Sequence, residues 1–126
     1  MRGRLNMVGN PERAERPKRV LFVCTANIDR SPTAEDLLKK VGGFEVKSAG
    51  VWFNARQRLS EDLIDWADVI FAMEEHHKMA ILALKPDAED KIIVLHIPDI
   101  YPRNDPELVE ILKMKLSEHL KVEWVR

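Results

Sequence analysis

Only one residue in 126 is a cysteine, Cys24, so the chain can form no internal disulfide and can build no multi-cysteine zinc site. A lone thiol fits a reducing compartment, and a cytoplasmic setting is expected. Long apolar runs are missing as well. Nothing approaches the ~18 apolar residues of a membrane span, and no hydrophobic segment opens the chain as an export signal would, so no membrane partner is expected. Positive charge is not in surplus: 20 Lys and Arg stand against 21 Asp and Glu, a net charge of −1. Nucleic-acid binders gain affinity by neutralising many phosphates, which argues against nucleic acid as a partner. Repeats and low-complexity runs are absent too. What is present, 45% apolar and 33% charged residues, is a soluble globular balance in a length that suits one core.

Charge is unevenly placed. Residues 1–19 hold Arg2, Arg4, Arg13, Arg16, Lys18 and Arg19 against Glu12 and Glu15, so this stretch is +4 and the remainder −5. With Gly3, Gly9, Pro11 and Pro17 and little to bury, residues 1–18 read as a disordered basic tail and residues 19–126 as the folded domain.

From Arg19 onward, strand-like and helix-like segments alternate. Val20 to Val23 is a short β-type run of the kind buried on both faces. Ser31 reads as an N-cap with Pro32 at the first helical position, opening a helix to about Lys40 that Gly42 and Gly43 stop. Phe44 to Ser48 forms a second strand. Ser60 caps the next helix, which turns Leu63, Ile64 and Trp66 to the core. Val69 to Met73 is a third strand, Glu75 to Leu84 a helix, and Lys91 to Ile97 a fourth strand. Asp105 caps a last helix that starts with Pro106 and carries the stripe Leu108, Ile111, Leu112 and Leu116. The expectation is an α/β fold: a single doubly wound domain, a four-stranded parallel sheet with helices on both faces. Ligands of such sheets bind beyond the carboxyl ends of the strands, where Cys24 to Arg30, Ser48, Met73-Glu74 and Asp99 fall.

The stretch VLFVCTANIDRSPTAE, residues 20–35, sets Cys24 between a strand and a helix start. Cys-x5-Arg alone is a weak pattern; its setting gives it weight. Successive N–H groups in such a loop converge on an anion, and the helix start adds partial positive charge. Arg30 offers a planar fork for two phosphate oxygens. A thiol in that field is favoured as thiolate, the nucleophilic form. The loop would then hold a tetrahedral oxyanion with its phosphorus facing sulfur, which is phosphoryl transfer through a cysteinyl-phosphate. The plainer reading, Cys24 as one more buried apolar residue, leaves Arg30 and Ser31 unexplained. The run Glu74-Glu75-His76-His77 lacks the i, i+4 spacing of a zinc pair and reads as solvated helix surface, as do Glu35, Lys39 and Lys40. No metal or other cofactor is expected.

VCTANIDRSPTAE resembles the signature of the low-molecular-weight protein tyrosine phosphatases. The likeness continues through KSAGV, ARQRLSEDLIDWADVIFAME and IPDIYPRND, in order, over most of residues 19–120. The stretch between Gly50 and Ala55 is too short for the helix usual there, which marks a shortened branch. The resemblance implies Cys24 as nucleophile and Arg30 as transition-state clamp. Thr25, Ala26, Asn27, Ile28 and Asp29 would complete the phosphate-binding loop, shaped by Asn27. Ser31 would hydrogen-bond the thiolate as it leaves, and Ser48 would support the loop asparagine. Asp99 would be the general acid, Tyr101 an aromatic at the pocket rim and Trp52 a pocket wall. The family's acid usually precedes proline, which favours Asp105. Asp105-Pro106 is already accounted for as a helix cap and first turn, whereas Asp99 has no capping role; Asp99 is favoured.

Two loop residues depart from the family: Ala26 stands for a glycine and Asp29 for a second cysteine. An inward Asp29 carboxylate would repel phosphate, so it is expected to point outward. The function expected is a cysteine-dependent phosphatase acting on phosphotyrosine or other aryl phosphate monoesters, as a monomer or weak dimer. Phosphorylated protein or a small aryl phosphate would be its substrate. An arsenate reductase using an external thiol is one alternative, since the thioredoxin-coupled kind needs further cysteines. A phosphoarginine phosphatase is another, although those tend to carry threonine where this chain has Ile28. A non-catalytic phosphate- or phosphopeptide-binding module would need neither Cys24 nor Asp99.

Without a second thiol to form a protective disulfide, peroxide should carry Cys24 to sulfinic and sulfonic acids. Mild oxidation followed by dithiothreitol should therefore restore only part of the activity; full recovery would count against this.

Overall fold

The computed structural model describes residues 16–124. Four strands, β1 (Lys18–Cys24), β2 (Phe44–Gly50), β3 (Val69–Ala72) and β4 (Ile92–Val94), form one sheet in the order β2-β1-β3-β4, and every pairing is parallel. The central strand β1 shows why its sequence is an unbroken apolar run. Val20, Phe22 and Cys24 face one side of the sheet, Leu21 and Val23 the other, and all five are buried. Helices α1 (Arg30–Val41) and α4 (Pro106–Ser117) cover the first side with Leu38, Leu108, Leu112 and Leu116. Helices α2 (Glu61–Trp66) and α3 (Glu75–Leu84) cover the second with Ile64 and Ile81. The expected α/β architecture, helices on both faces of a four-stranded parallel sheet, is the observed one.

Local boundaries shift for identifiable reasons. Asp29, not Ser31, takes the N-cap position of α1, so Pro32 sits at the third helical position, where its missing N–H is one of those the first turn leaves free anyway. Gly42 and Gly43 stop the helix with φ of 81° and 88°. Ser60 caps α2 by accepting the Leu63 N–H, and Asp105 caps α4 by accepting those of Glu107 and Leu108. The fourth strand is shorter than the expected 91–97. Lys91 belongs to a 3-10 turn over Pro86–Lys91, and His96, with φ of 58°, takes the chain out of the extended conformation. Residues past β4 still follow the sheet, because Leu95 N–H reaches Ala72 O and Ile97 N–H reaches Met73 O.

The basic segment expected over residues 1–18 lies outside the described residues up to position 15. Lys18 already opens β1, and the Arg16 guanidinium grips the Asp68 carboxylate with two bonds of 3.1 Å. Among the described residues no helix is long and apolar enough to cross a membrane. The parallel sheet brings the ends of β1, β2 and β3 and the loop after β4 to one edge.

Candidate active site

Cys24 is the last residue of β1, and the chain turns over residues 25–29 before entering α1. Four successive carbonyls, Cys24 to Asn27, are taken by one outside segment. Val51 N–H donates to Cys24 O (3.0 Å), Trp52 N–H to Thr25 O (2.9 Å), Arg56 N–H to Ala26 O (3.1 Å) and Arg56 Nε–H to Asn27 O (3.0 Å). Carbonyl and N–H point oppositely across a peptide plane, so satisfying four carbonyls from outside turns the loop amides inward. Asn27 makes the bend with φ of 58°, a left-handed conformation asparagine tolerates. Ala26 is not among the positive-φ residues, which is why a β-carbon is accommodated where the family has glycine.

The loop surrounds a small pocket of ≈ 70 Å³ lined by Cys24, Thr25, Ala26, Ile28, Asp29, Arg30 and Asp99. Liquid water takes ~30 Å³ per molecule, so this space is on the scale of a tetrahedral oxyanion. A larger cavity of ≈ 250 Å³ is lined by Glu35, Lys47, Ser48, Arg56, Gln57 and Leu63, none of them a nucleophile of the expected kind. Chemistry singles out the smaller one.

Behind the pocket runs a chain of directed hydrogen bonds. The Glu35 carboxylate accepts the Ser48 hydroxyl proton (2.5 Å), so Ser48 Oγ accepts from Asn27 Nδ2 (2.8 Å). The same Asn27 amide donates to Ser31 Oγ (2.8 Å), whose proton faces Cys24 Sγ at 2.9 Å and, more distantly, Ala49 O at 3.5 Å. Along the shorter contact the chain ends on sulfur as an acceptor, the role a thiolate would take. Glu35, read from sequence as helix surface, is the origin of this chain; its side chain is 17% exposed and also pairs with Lys39.

Arg30 is 1% exposed, and its guanidinium has polar partners at all three nitrogens. Nη1 pairs with the Glu74 carboxylate and donates to Ile97 O (2.8 Å); Nη2 donates to Thr25 Oγ1 (3.3 Å); Nε lies 3.6 Å from Asp99 Oδ1. Glu74 is also the N-cap of α3. Its N–H donates to His77 Nδ1 (3.0 Å) while its carboxylate takes the His77 N–H, a closed capping box. With Nδ1 an acceptor, His77 carries its proton on Nε2 and donates it to Thr25 Oγ1 (2.9 Å). Burial first, then the charges of His76 and Arg30, lowers the His77 pKa to about 3, so the ring is neutral.

The 74–77 run is therefore not a solvated surface: His77 is fully buried and Glu74 half-buried against Arg30, and only Glu75 and His76 are exposed. Glu at an N-cap with His three residues on was a capping signal that a search for metal spacing passes over. Among the described residues, no group of three or more His, Cys, Asp or Glu side chains is arranged to hold a metal ion.

The remaining expected residues fall as follows. Asp99 lines the pocket with its side chain 60% exposed, whereas Asp105 does not line it and its carboxylate caps α4. Ser31 and Ser48 are buried in the sulfur network. Asp29 lines the pocket edge, but its Oδ1 accepts the Arg103 N–H (3.0 Å), away from the thiol. Tyr101 packs against the core cluster of β1, α1 and α4 and does not line the pocket. Trp52 also falls short of the pocket: its backbone holds Thr25 O, and its side chain is 53% exposed.

A family model described as low molecular weight phosphotyrosine protein phosphatase matches residues 19–61. The chain is 37% identical to a protein-arginine-phosphatase of Geobacillus stearothermophilus over 103 residues, 63% of this chain and 70% of that one. It is 28% identical over 138 residues to the low molecular weight protein-tyrosine-phosphatase Etp of Escherichia coli K12, covering 85% of this chain and 92% of that one. Among solved structures, the YwlE arginine phosphatase from Geobacillus stearothermophilus superposes with a TM-score of 0.66 at 32% identity, over 83% of this chain and 94% of that one. Vibrio vulnificus Wzb in complex with benzylphosphonate superposes with a TM-score of 0.63 at 26% identity, over 78% and 91%.

A β-carbon at Gly50 would lie 2.6 Å from Thr25 O and 2.8 Å from both Asn27 N and Ala55 Cβ, so Gly50→Ala must displace the loop. Its affinity for inorganic phosphate, read by competition, should fall at least about tenfold, since a small misplacement of binding groups costs that and more. For His77, the folded chain refuses a proton that the unfolded chain takes near ~6.5. Its contribution to stability is complete above that pH and is lost as pH falls toward about 3, where the folded ring at last protonates. As pH is lowered from about 6.5 to 5, stability measured by denaturant unfolding should fall less steeply in His77→Gln than in the wild type.

Proposed function

The chain belongs to the low-molecular-weight protein tyrosine phosphatase family, and on that premise we propose that it hydrolyses aryl phosphate monoesters, phosphotyrosine above all, through a cysteinyl-phosphate. One observation carries the reading. Cys24 Sγ, Arg30 and Asp99 line a single oxyanion-sized pocket whose backbone N–H groups turn inward. The Cys24 thiolate attacks phosphorus while the loop amides and Arg30 hold the equatorial oxygens. Asp99, as the carboxylic acid, gives its proton to the departing phenolate as the P–O bond breaks. In the second half, the Asp99 carboxylate takes a proton from water, whose oxygen attacks phosphorus. Inorganic phosphate leaves, and sulfur departs as thiolate onto the Ser31 hydroxyl that faces it at 2.9 Å.

The substrate class follows from what surrounds the mouth. Among the described residues seven large apolar side chains are exposed; of these Ile28 lines the pocket, Ile100 directly follows Asp99, and Trp52 and Phe53 lie in the segment that holds the loop carbonyls. An aromatic ring leaving the pocket would meet apolar surface there, which supports an aryl ester. The relatives named as protein-arginine-phosphatases favour a second reading, phosphoarginine. Its guanidinium leaving group would meet the Asp99 carboxylate and, at the same lining, that of Asp29, which the Arg103 N–H already engages.

Wild-type protein should hydrolyse para-nitrophenyl phosphate, unaffected by chelators, and Cys24→Ser should show only background. On phenyl phosphate, whose phenolate needs a proton, Asp99→Asn should lower kcat/KM by about 10²- to 10⁴-fold, the usual worth of a positioned acid. Wild-type activity no higher than Cys24→Ser removes the enzyme reading. A higher kcat/KM on phosphoarginine peptides than on phosphotyrosine peptides replaces the first reading with the second.

A further inference from the structure

Asp29 occupies the N-cap position of α1, yet its side chain makes no capping hydrogen bond. The helix start is served differently: Thr33 N–H and Thr33 Oγ1 both donate to the Asp29 carbonyl, at 3.1 and 2.7 Å. The Asp29 carboxylate is free for another partner, and Oδ1 accepts the Arg103 N–H at 3.0 Å, 74 residues along the chain. Thr33 Oγ1 in turn accepts the Asn104 N–H (2.9 Å), and Arg103 Nη2 pairs with Asp36 at 2.7 Å. Asn104 holds φ of 64°, the bend that presents both amides to α1.

These contacts fix one end of the loop that carries Asp99. The other end is fixed at Ile97, whose N–H reaches Met73 O and whose carbonyl takes Arg30 Nη1, each at 2.8 Å. Between these two posts, residues 98–101 make no hydrogen bond to another element among the described residues, although Asp99 ion-pairs with Arg30 and Tyr101 packs against the core. Where Asp99 stands over the sulfur is therefore set by the posts. The first post is built on the phosphate loop and the helix that follows it, the second on Arg30 at that helix's start and on Met73 just past β3.

We propose that Asp29 is a positioning residue for Asp99: its carboxylate clamps the Arg103 amide and so holds the acid over the pocket. This rests on the reading of Asp99 as general acid. The residue that departs from the family's loop pattern thus couples the loop that binds phosphate to the loop that protonates the leaving group. The effect is a matter of acceptor geometry rather than charge, since an amide oxygen at the same place accepts the same N–H.

The test compares kcat/KM on para-nitrophenyl phosphate, whose phenolate leaves without much help, with phenyl phosphate, whose phenolate needs a proton. Asp29→Ala should raise the ratio of the two by about tenfold or more, a fraction of the full effect of a general acid, in the direction set by Asp99→Asn. Asp29→Asn, which keeps the acceptor and loses the charge, should hold the ratio within about twofold of wild type. A general loss of folding or of loop geometry lowers both substrates together and leaves the ratio unmoved. An unmoved ratio in Asp29→Ala, or an equal rise in the Asn and Ala variants, overturns the proposal while leaving Asp99 its role. If Asp99→Asn itself does not raise the ratio, the reading of Asp99 falls first and the clamp with it.

Discussion

A loop that offers its amide N–H groups to an anion must find other partners for its carbonyls, and here residues 51–56 supply them. Four carbonyls in succession, Cys24 to Asn27, accept N–H groups from Val51, Trp52 and Arg56. Buried peptide groups left unpaired would cost on the order of 1–3 kcal/mol each, so this short segment decides which way the loop faces. Gly50 allows it, because any β-carbon there would collide with the loop it supports. The branch's shortened connection is thus the outer wall of the phosphate loop.

Arg30 poses the second constraint. Removing a guanidinium from water costs on the order of several kcal/mol unless charges and acceptors meet it. Glu74, Asp99, Ile97 O and Thr25 Oγ1 do so, from three separate stretches of chain. Glu74 serves two structures with one carboxylate, the α3 capping box and the Arg30 pair, and the neutral His77 ring links that box back to Thr25. Loop, arginine and α3 therefore form one unit. The fork's partners sit at the N-cap of a helix and in the two loops that border the pocket.

The sulfur network has the same character. Its direction is set at the far end, by a Glu35 carboxylate that accepts, and passes through Ser48 and the Asn27 amide to the Ser31 hydroxyl beside sulfur. That order would be lost with any single donor reversed.

Much of this was legible in the sequence because it is local. Unbroken apolar β1, the Ser60 and Asp105-Pro106 caps, the paired glycines after α1 and the period of α4 each specify an element through nearby backbone geometry and side-chain burial. The setting of Cys24 between strand and helix likewise placed the nucleophile and Arg30 in one loop. His96 and Glu74 were less legible: a left-handed backbone at a histidine ended β4 early, and a capping box looked like a surface charge run. What the sequence determined alone was therefore the order of strands and helices and the loop that could hold an anion, since those follow from periodicity and caps within a few residues. Only the folded chain decided which partners Glu35, Glu74, His77 and Asp29 meet around the pocket. Their partners lie 13 to 74 residues away, brought within bonding distance by the sheet's parallel crossovers, and no local pattern encodes such a meeting.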